Sequence, residues 1–241
     1  MRNLLQIVQD ICNEMALPVP NAVVSSGDKQ VLQFLALANR EGKELSTRTG
    51  AIQGWPALRK LQTISIIAGT DNYAFPTDIL RYIDATGWNS SSFWRLSGPQ
   101  TPQEWQFLKN AQVVSTINYR YRIMANRVYF DPTPTDNSTA TVEYYSKNWI
   151  LDIDGSTTKE RFSADTDTPI LDDYIVELGI KWRFLRAKGF SYDEEKNAYE
   201  DAVELAMASS VTGRDLTLGR SPMPGPHLLD QWNFPDTGYG S

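Results

Sequence analysis

Few residues in this chain could do chemistry, and most of those stand alone. The single histidine, His227, lies in a proline-rich stretch with neither a rigid scaffold nor a second ligand, so it makes a poor metal ligand or general base. That inventory leaves no Ser-His-Asp or Cys-His arrangement. Gly50 and Gly54 lack the lysine and the serine or threonine that a phosphate-cradling loop requires. The most suggestive spacing is Asp152, Asp154 and Gly155, with Glu160 beyond. Paired aspartates before a glycine resemble a calcium loop, but a third ligand is missing and a strand precedes, so a polar loop is the plainer reading. Among 29 Asp and Glu residues no pair stands out by spacing or by an apolar setting that would raise a pKa. Trp55, Trp88, Trp94, Trp105, Trp149 and Trp182 sit among apolar neighbours and read as core more than as a sugar platform. Arg120 and Arg122 alternate with Tyr119 and Tyr121, as if a strand had one basic and one aromatic face. Neither a catalytic residue, a metal site nor a cofactor is expected.

Composition narrows the field further. With 241 residues the chain can bury a sizeable core, and 41% hydrophobic with 22% charged residues is ordinary for a globular protein. A net charge of -6 argues against gripping nucleic acid, although an acidic surface would let DNA slide past it. Cys12 is the only cysteine, so no intrachain disulfide can form, and it reads as a small buried hydrophobe. No apolar run approaches the ~18 residues of a membrane span. MRNLLQIVQDICNEM does not read as a signal peptide, so a soluble product made in the cytoplasm is expected.

The elements that would position these residues are legible from period and punctuation. Phe162 to Gly189 predicts a long amphipathic helix, with Leu171, Ile175, Leu178, Trp182 and Leu185 on one face. Asp165, Asp167, Asp172 and Asp173 crowd its start, Arg183, Arg186 and Lys188 its end, and Gly189 suits the residue just past it. A second helix follows, opened by Ser191 and Glu194 as a capping box and running to Ser209, with Ala198, Ala202, Leu205 and Ala206 facing inward. Residues 3 to 16 predict a first helix with Leu4, Val8, Ile11 and Met15 on one face. Ser25, Ser26 and Asp28 open another that runs to about Arg48 and carries Val31, Phe34, Leu35, Ala38 and Leu45.

Between these helix pairs the period changes to that of strands, predicted at 61–68, 73–75, 80–86, 93–96, 117–124, 127–130 and 139–146. Ala125-Asn126 would make a tight hairpin turn, and Thr101-Pro-Gln-Glu104 would cap one short helix. The expected fold is therefore α+β. An antiparallel helical bundle is built from residues 1–58 and 162–212, with an antiparallel β-domain inserted at 59–161. Residues 213–241, with Pro222, Pro224, Pro226 and Pro235, predict an extended or disordered arm. It carries Leu228, Leu229, Trp232, Phe234 and Tyr239, which a permanently solvated tail would not need, so the arm is expected to order on a partner.

Three segments in order resemble a known family. Ile67-Ala-Gly-Thr-Asp-Asn-Tyr73 with Ala-Phe-Pro-Thr-Asp-Ile-Leu-Arg81 resembles the strand, turn and Tyr-x-Leu-Pro-x-Asp-Phe-x-Arg stretch of tailed-bacteriophage head-to-tail adaptor (connector) proteins of the tail tubular protein A-like kind. Phe75 and Ile79 depart from that pattern. Asn126-Arg-Val-Tyr-Phe-Asp-Pro-Thr-Pro134 with Val142-Glu-Tyr-Tyr-Ser146, and Ala164-Asp-Thr-Asp-Thr-Pro169 with the helix through Gly189 and Tyr199, are similar to two further blocks. The resemblance spans roughly residues 1 to 212. It implies a non-enzymatic virion protein of the neck, a dodecameric ring between the portal protein and the tail tube or nozzle, with DNA passing through the channel. The helices would form the ring wall, and the arm would reach the portal or a neighbouring subunit. The alternative reading is a carbohydrate-binding or hydrolytic virion module that uses exposed tryptophans and a carboxylate pair. A smaller, mainly β stopper or tail-completion protein suits this helix-rich chain less well.

Overall fold

The computed structural model describes residues 1–48, 54–91, 93–110 and 119–210. The expected arm 213–241, His227, and the start of the strand expected at 117 lie outside these residues. In chain order the described elements are α1 (Leu4–Glu14), α2 (Lys29–Thr47), a 3-10 turn (Pro56–Leu58), β1 (Arg59–Ile66), β2 (Asn72–Ala74), β3 (Ile79–Tyr82), β4 (Trp88–Asn89) and β5 (Trp94–Arg95). They continue with α3 (Pro102–Asn110), β6 (Arg120–Met124), β7 (Arg127–Asp131), β8 (Ser138–Ser146), β9 (Ile150–Leu151), β10 (Thr158–Lys159), β11 (Thr168–Pro169), α4 (Asp173–Lys188) and α5 (Asp193–Ser209). The fold is mixed α+β, with antiparallel pairing in every named sheet.

Helix α4 is the hub. It packs on α1, α2 and α5. It accordingly buries not one stripe but most of its circumference, including Ile175, Val176, Gly179, Ile180, Arg183 and Phe184. The helix expected from Phe162 begins about three turns later, at Asp173. Asp172 is the true cap, its carboxylate accepting from Tyr174 N at 3.0 Å. Before it, Thr168–Pro169 pairs with β9, and Ile170 N donates to Trp149 O at 2.8 Å. Proline can occupy an edge strand because no ladder donor is required of it there. Gly189 closes the helix as expected, at φ 78.

Asp165 and Asp167 therefore do not serve a helix dipole. Asp165 accepts from the amides of Val23 and Val24, and Asp167 accepts from those of Ser163 and Ala164. The same loop finishes α1. Asn3 and Gln6 form a reciprocal cap, and the free amides of Leu4 and Leu5 donate to the carbonyls of Asp167 (2.9 Å) and Asp165 (3.2 Å). In α5 the capping box is absent. Tyr192 precedes the helix without a side-chain cap, and Asp193, Glu194 and Glu195 meet the N-terminal dipole instead. Its buried face is Tyr199 and Val203 with Ala202 and Ala206, whereas Leu205 is 72% exposed and Ala198 is exposed too.

In the β region, β8 is central, flanked by β1 on one side and by β3 and β4 on the other, with β5 beyond β4. Strand alternation sends Ala140, Val142 and Tyr144 into a core shared with Ile64, Phe130 and Tyr121, while Tyr145 joins the helical core beside Leu58 and Trp149. One strand thus serves two cores within a single compact unit, Met1–Ser210. The β6–β7 hairpin turns on Ala125 (φ 47) and Asn126 (φ 58), the double left-handed geometry of a two-residue turn. Thr101 and Glu104 cap α3 reciprocally, and Trp105 is buried from it.

Candidate functional site

Among the described residues, those with chemical potential are turned to structural uses. Asp154 accepts from Thr157 N (3.0 Å) and Oγ1 (2.7 Å) and from Ser156 N (3.0 Å) and Oγ (2.9 Å), which holds its carboxyl well below the usual range. Asp152 pairs with Lys159 at 2.7 Å, and Glu160 lies 3.4 Å from Lys147. The calcium-like spacing is thus a turn closed by its own hydroxyls and amides, with Gly155 at φ 70. No cluster of metal-ligating side chains occurs among the described residues. Cys12 is buried in the helical core, and burial pushes its thiol pKa up. Trp55, Trp105, Trp149 and Trp182 are core residues, and only Trp94 of the described tryptophans is half-exposed or more. Tyr121 on β6 is buried in the sheet core, and Tyr119 just before the strand packs against it.

What the structure builds instead is a set of charged ties between elements. Arg183 on α4 meets Glu41 on α2 and donates to Glu44 Oε2 at 2.6 Å and to Gly179 O at 3.1 Å. Glu41 is fully buried, and burial pulls the Arg183 pKa down. Gly179 makes room, since a side chain there would overlap the Glu41 carboxyl. Arg48 pairs with Glu200 across α2 and α5. Arg2 binds Asp10 (2.7 Å) and Glu177 (2.6 Å), and Lys181 binds Glu14 (2.5 Å) and Glu195 (2.9 Å). In the β region Asp78 gathers Lys60 (2.8 Å), Ser146 (2.8 Å) and Tyr144 (3.0 Å). Burial alone would raise its pKa, but these donors outweigh it and hold the carboxyl below its ordinary value. Sequence reasoning missed Glu41 and gave Arg183 only a helix-end role. The available signal was a pair of mid-helix glycines, Gly42 and Gly179, which are costly in a helix unless something must approach closely.

The open surface lies outside these ties. A groove of about 710 Å³ runs beside α2, lined by apolar Leu32, Leu35, Ala36 and Phe162 and by charged Arg40, Lys43, Glu160 and Arg161. Large apolar side chains also stand out at Phe93, Trp94, Phe107, Ile153 and Leu205. Such surfaces suit packing against other proteins more than turnover of a small molecule.

Among the described residues no helix is long and apolar enough to cross a membrane. No curated protein matches the chain. A family model described as SU10 adaptor protein matches residues 2–224, nearly the whole chain, reaching past the resemblance of the sequence blocks and stopping short of Leu228, Leu229, Trp232, Phe234 and Tyr239. By this match over most of its length the chain belongs to the SU10 adaptor protein family, and as a phage adaptor it is a structural component of the virion.

Proposed function

We propose that the chain is the head-to-tail adaptor of the neck, of the tail tubular protein A-like kind, acting as a dodecameric ring between the portal protein and the tail tube or nozzle. The family match over residues 2–224 carries this reading. The helical segments 1–58 and 162–212 form the ring wall, and the β-rich segment 59–161 faces outward or toward tail components. DNA passes through the channel during packaging and ejection without sequence-specific contacts. The net charge of -6 is compatible with sliding. The protein is made in the host cytoplasm and ends in the virion. No cofactor or catalytic step enters this role.

The arm beyond Gly213 reaches the portal or the adjacent subunit, with Leu228, Leu229, Trp232, Phe234 and Tyr239 as its anchors. Aromatic and leucine side chains at the end of a proline-rich segment supply buried area at low ordering cost in the proline stretches. Electron microscopy of the purified chain mixed with the portal protein of its phage tests the reading. A twelvefold ring stacked on the portal supports it. Portal particles without added density contradict it.

A further inference from the structure

The outward face of α5 and the groove along α2 have the properties of two halves of one contact. On α5, Glu194, Ala198, Asp201 and Leu205 recur at spacings of four, three and four, a stripe on the exposed side with Glu204 alongside. Along it carboxylates alternate with apolar side chains, and Leu205 stands at its C-terminal end. Glu194, Asp201 and Glu204 have no ion-pair partner among the described residues.

The α2 groove has the opposite character. Leu32, Leu35, Ala36 and Phe162 give it an apolar lining, and Phe162 N donates to Asn39 Oδ1 at 2.9 Å, which ties the 160–162 segment to α2. Arg40 is tied to Glu44 at 2.7 Å, and Glu160 is held by Lys147. Lys43 and Arg161 remain as cations without an ion-pair partner among the described residues.

We propose that a second copy of this chain lays the outward stripe of its α5 into the α2 groove, with Leu205 over Leu32, Leu35, Ala36 and Phe162, and Asp201 and Glu204 toward Lys43 and Arg161. The two surfaces lie on different helices of one subunit, so the contact is head-to-tail and repeats from copy to copy, as a ring requires. Helix-in-groove packing supplies the burial, and the charge pattern sets direction and register. This inference rests on the ring reading above and assigns its subunit interface.

The test uses the full chain, alone and with the portal protein, in whichever condition the wild type associates. Lys43→Glu with Arg161→Glu, and separately Asp201→Lys with Glu204→Lys, should each weaken association about tenfold or more, with unchanged circular dichroism. Mixing the two variants, or combining all four substitutions in one chain, should restore much of it. Ala36→Cys with Leu205→Cys should give a ladder of disulfide-linked copies on oxidation, since the native Cys12 is buried. A wild type that associates while the charge reversals change nothing and no ladder forms overturns this interface and leaves the ring reading standing. A wild type that associates under neither condition overturns the ring reading itself.

Discussion

The guanidinium of Arg183 on α4 lies against the fully buried carboxylate of Glu41 on α2, and Gly179 one turn earlier leaves the space that carboxylate occupies. A charge pair removed from water is held by geometry rather than by net energy, because desolvation offsets most of the attraction. Its removal is asymmetric. Glu41→Ala leaves a buried arginine with only Glu44 to answer it, and should cost roughly 3–5 kcal/mol in denaturant unfolding. Glu41→Leu together with Arg183→Met should recover a large part of that loss. A single substitution with no measurable cost would show that the pair contributes little to the helix arrangement.

Gly42 gives a second test of close packing. A methyl group there would sit inside the Trp149 indole, which is fully buried and whose Nε1 donates to Glu160 O at 2.9 Å. Gly42→Ala removes the helix penalty of glycine, about 1 kcal/mol, but must displace a core tryptophan. Overpacking of this kind costs about 1–3 kcal/mol or more, so the net change should be destabilising. A stabilised variant in thermal unfolding would contradict the contact.

These two sites also show where sequence reading succeeds and where it stops. The hairpin at Ala125–Asn126, the opening of α2 within Ser25–Asp28, the cap at Thr101 and the end of α4 at Gly189 are legible because each is set by residues close in sequence. Glu41 was not legible, because its partner lies 142 residues away and a glutamate in a helix reads as solvated. The 162–172 segment was misread as helix because its acids matched a helix start. Their real partners, the amides of Val23, Val24, Ser163 and Ala164, are supplied by a loop that no local pattern announces. The inward and outward faces of α5 were exchanged in part, since alanine suits either. The candidate site followed the same rule: the α2 groove joins residues more than a hundred positions apart, and no local spacing announces it.

Acid should loosen the fold through Asp167 and Asp78. Burial on its own would raise Asp167, but the amides of Ser163 and Ala164 and the ammonium of Lys159 at 3.0 Å outweigh it and hold the carboxyl low. Asp78 is held low in the same sense by Lys60, Ser146 and Tyr144. A folded value below the unfolded one, about 3.9, stabilises fully above that pH. The stabilisation is then lost as pH falls through the folded value. Asp167→Asn should therefore lower stability at pH 7 and flatten its decline below about pH 4 in urea unfolding. Equal stability of variant and wild type at pH 7 would remove Asp167 from the account.

Deleting residues 219–241 should leave the described fold intact, since few core contacts can depend on a proline-rich terminus. Circular dichroism and thermal unfolding should be unchanged. Attachment to the portal or to the adjacent subunit should weaken. Assembly unaffected by the truncation would show that Leu228, Leu229, Trp232, Phe234 and Tyr239 anchor nothing.

The most direct measurement of the central claim is the native mass of the purified chain, alone and after mixing with the isolated portal protein. A monomer that adds twelve copies to the portal, or a ring of twelve formed alone, is the predicted result. A chain that stays monomeric in both conditions, with the portal mass unchanged, would contradict the adaptor-ring account.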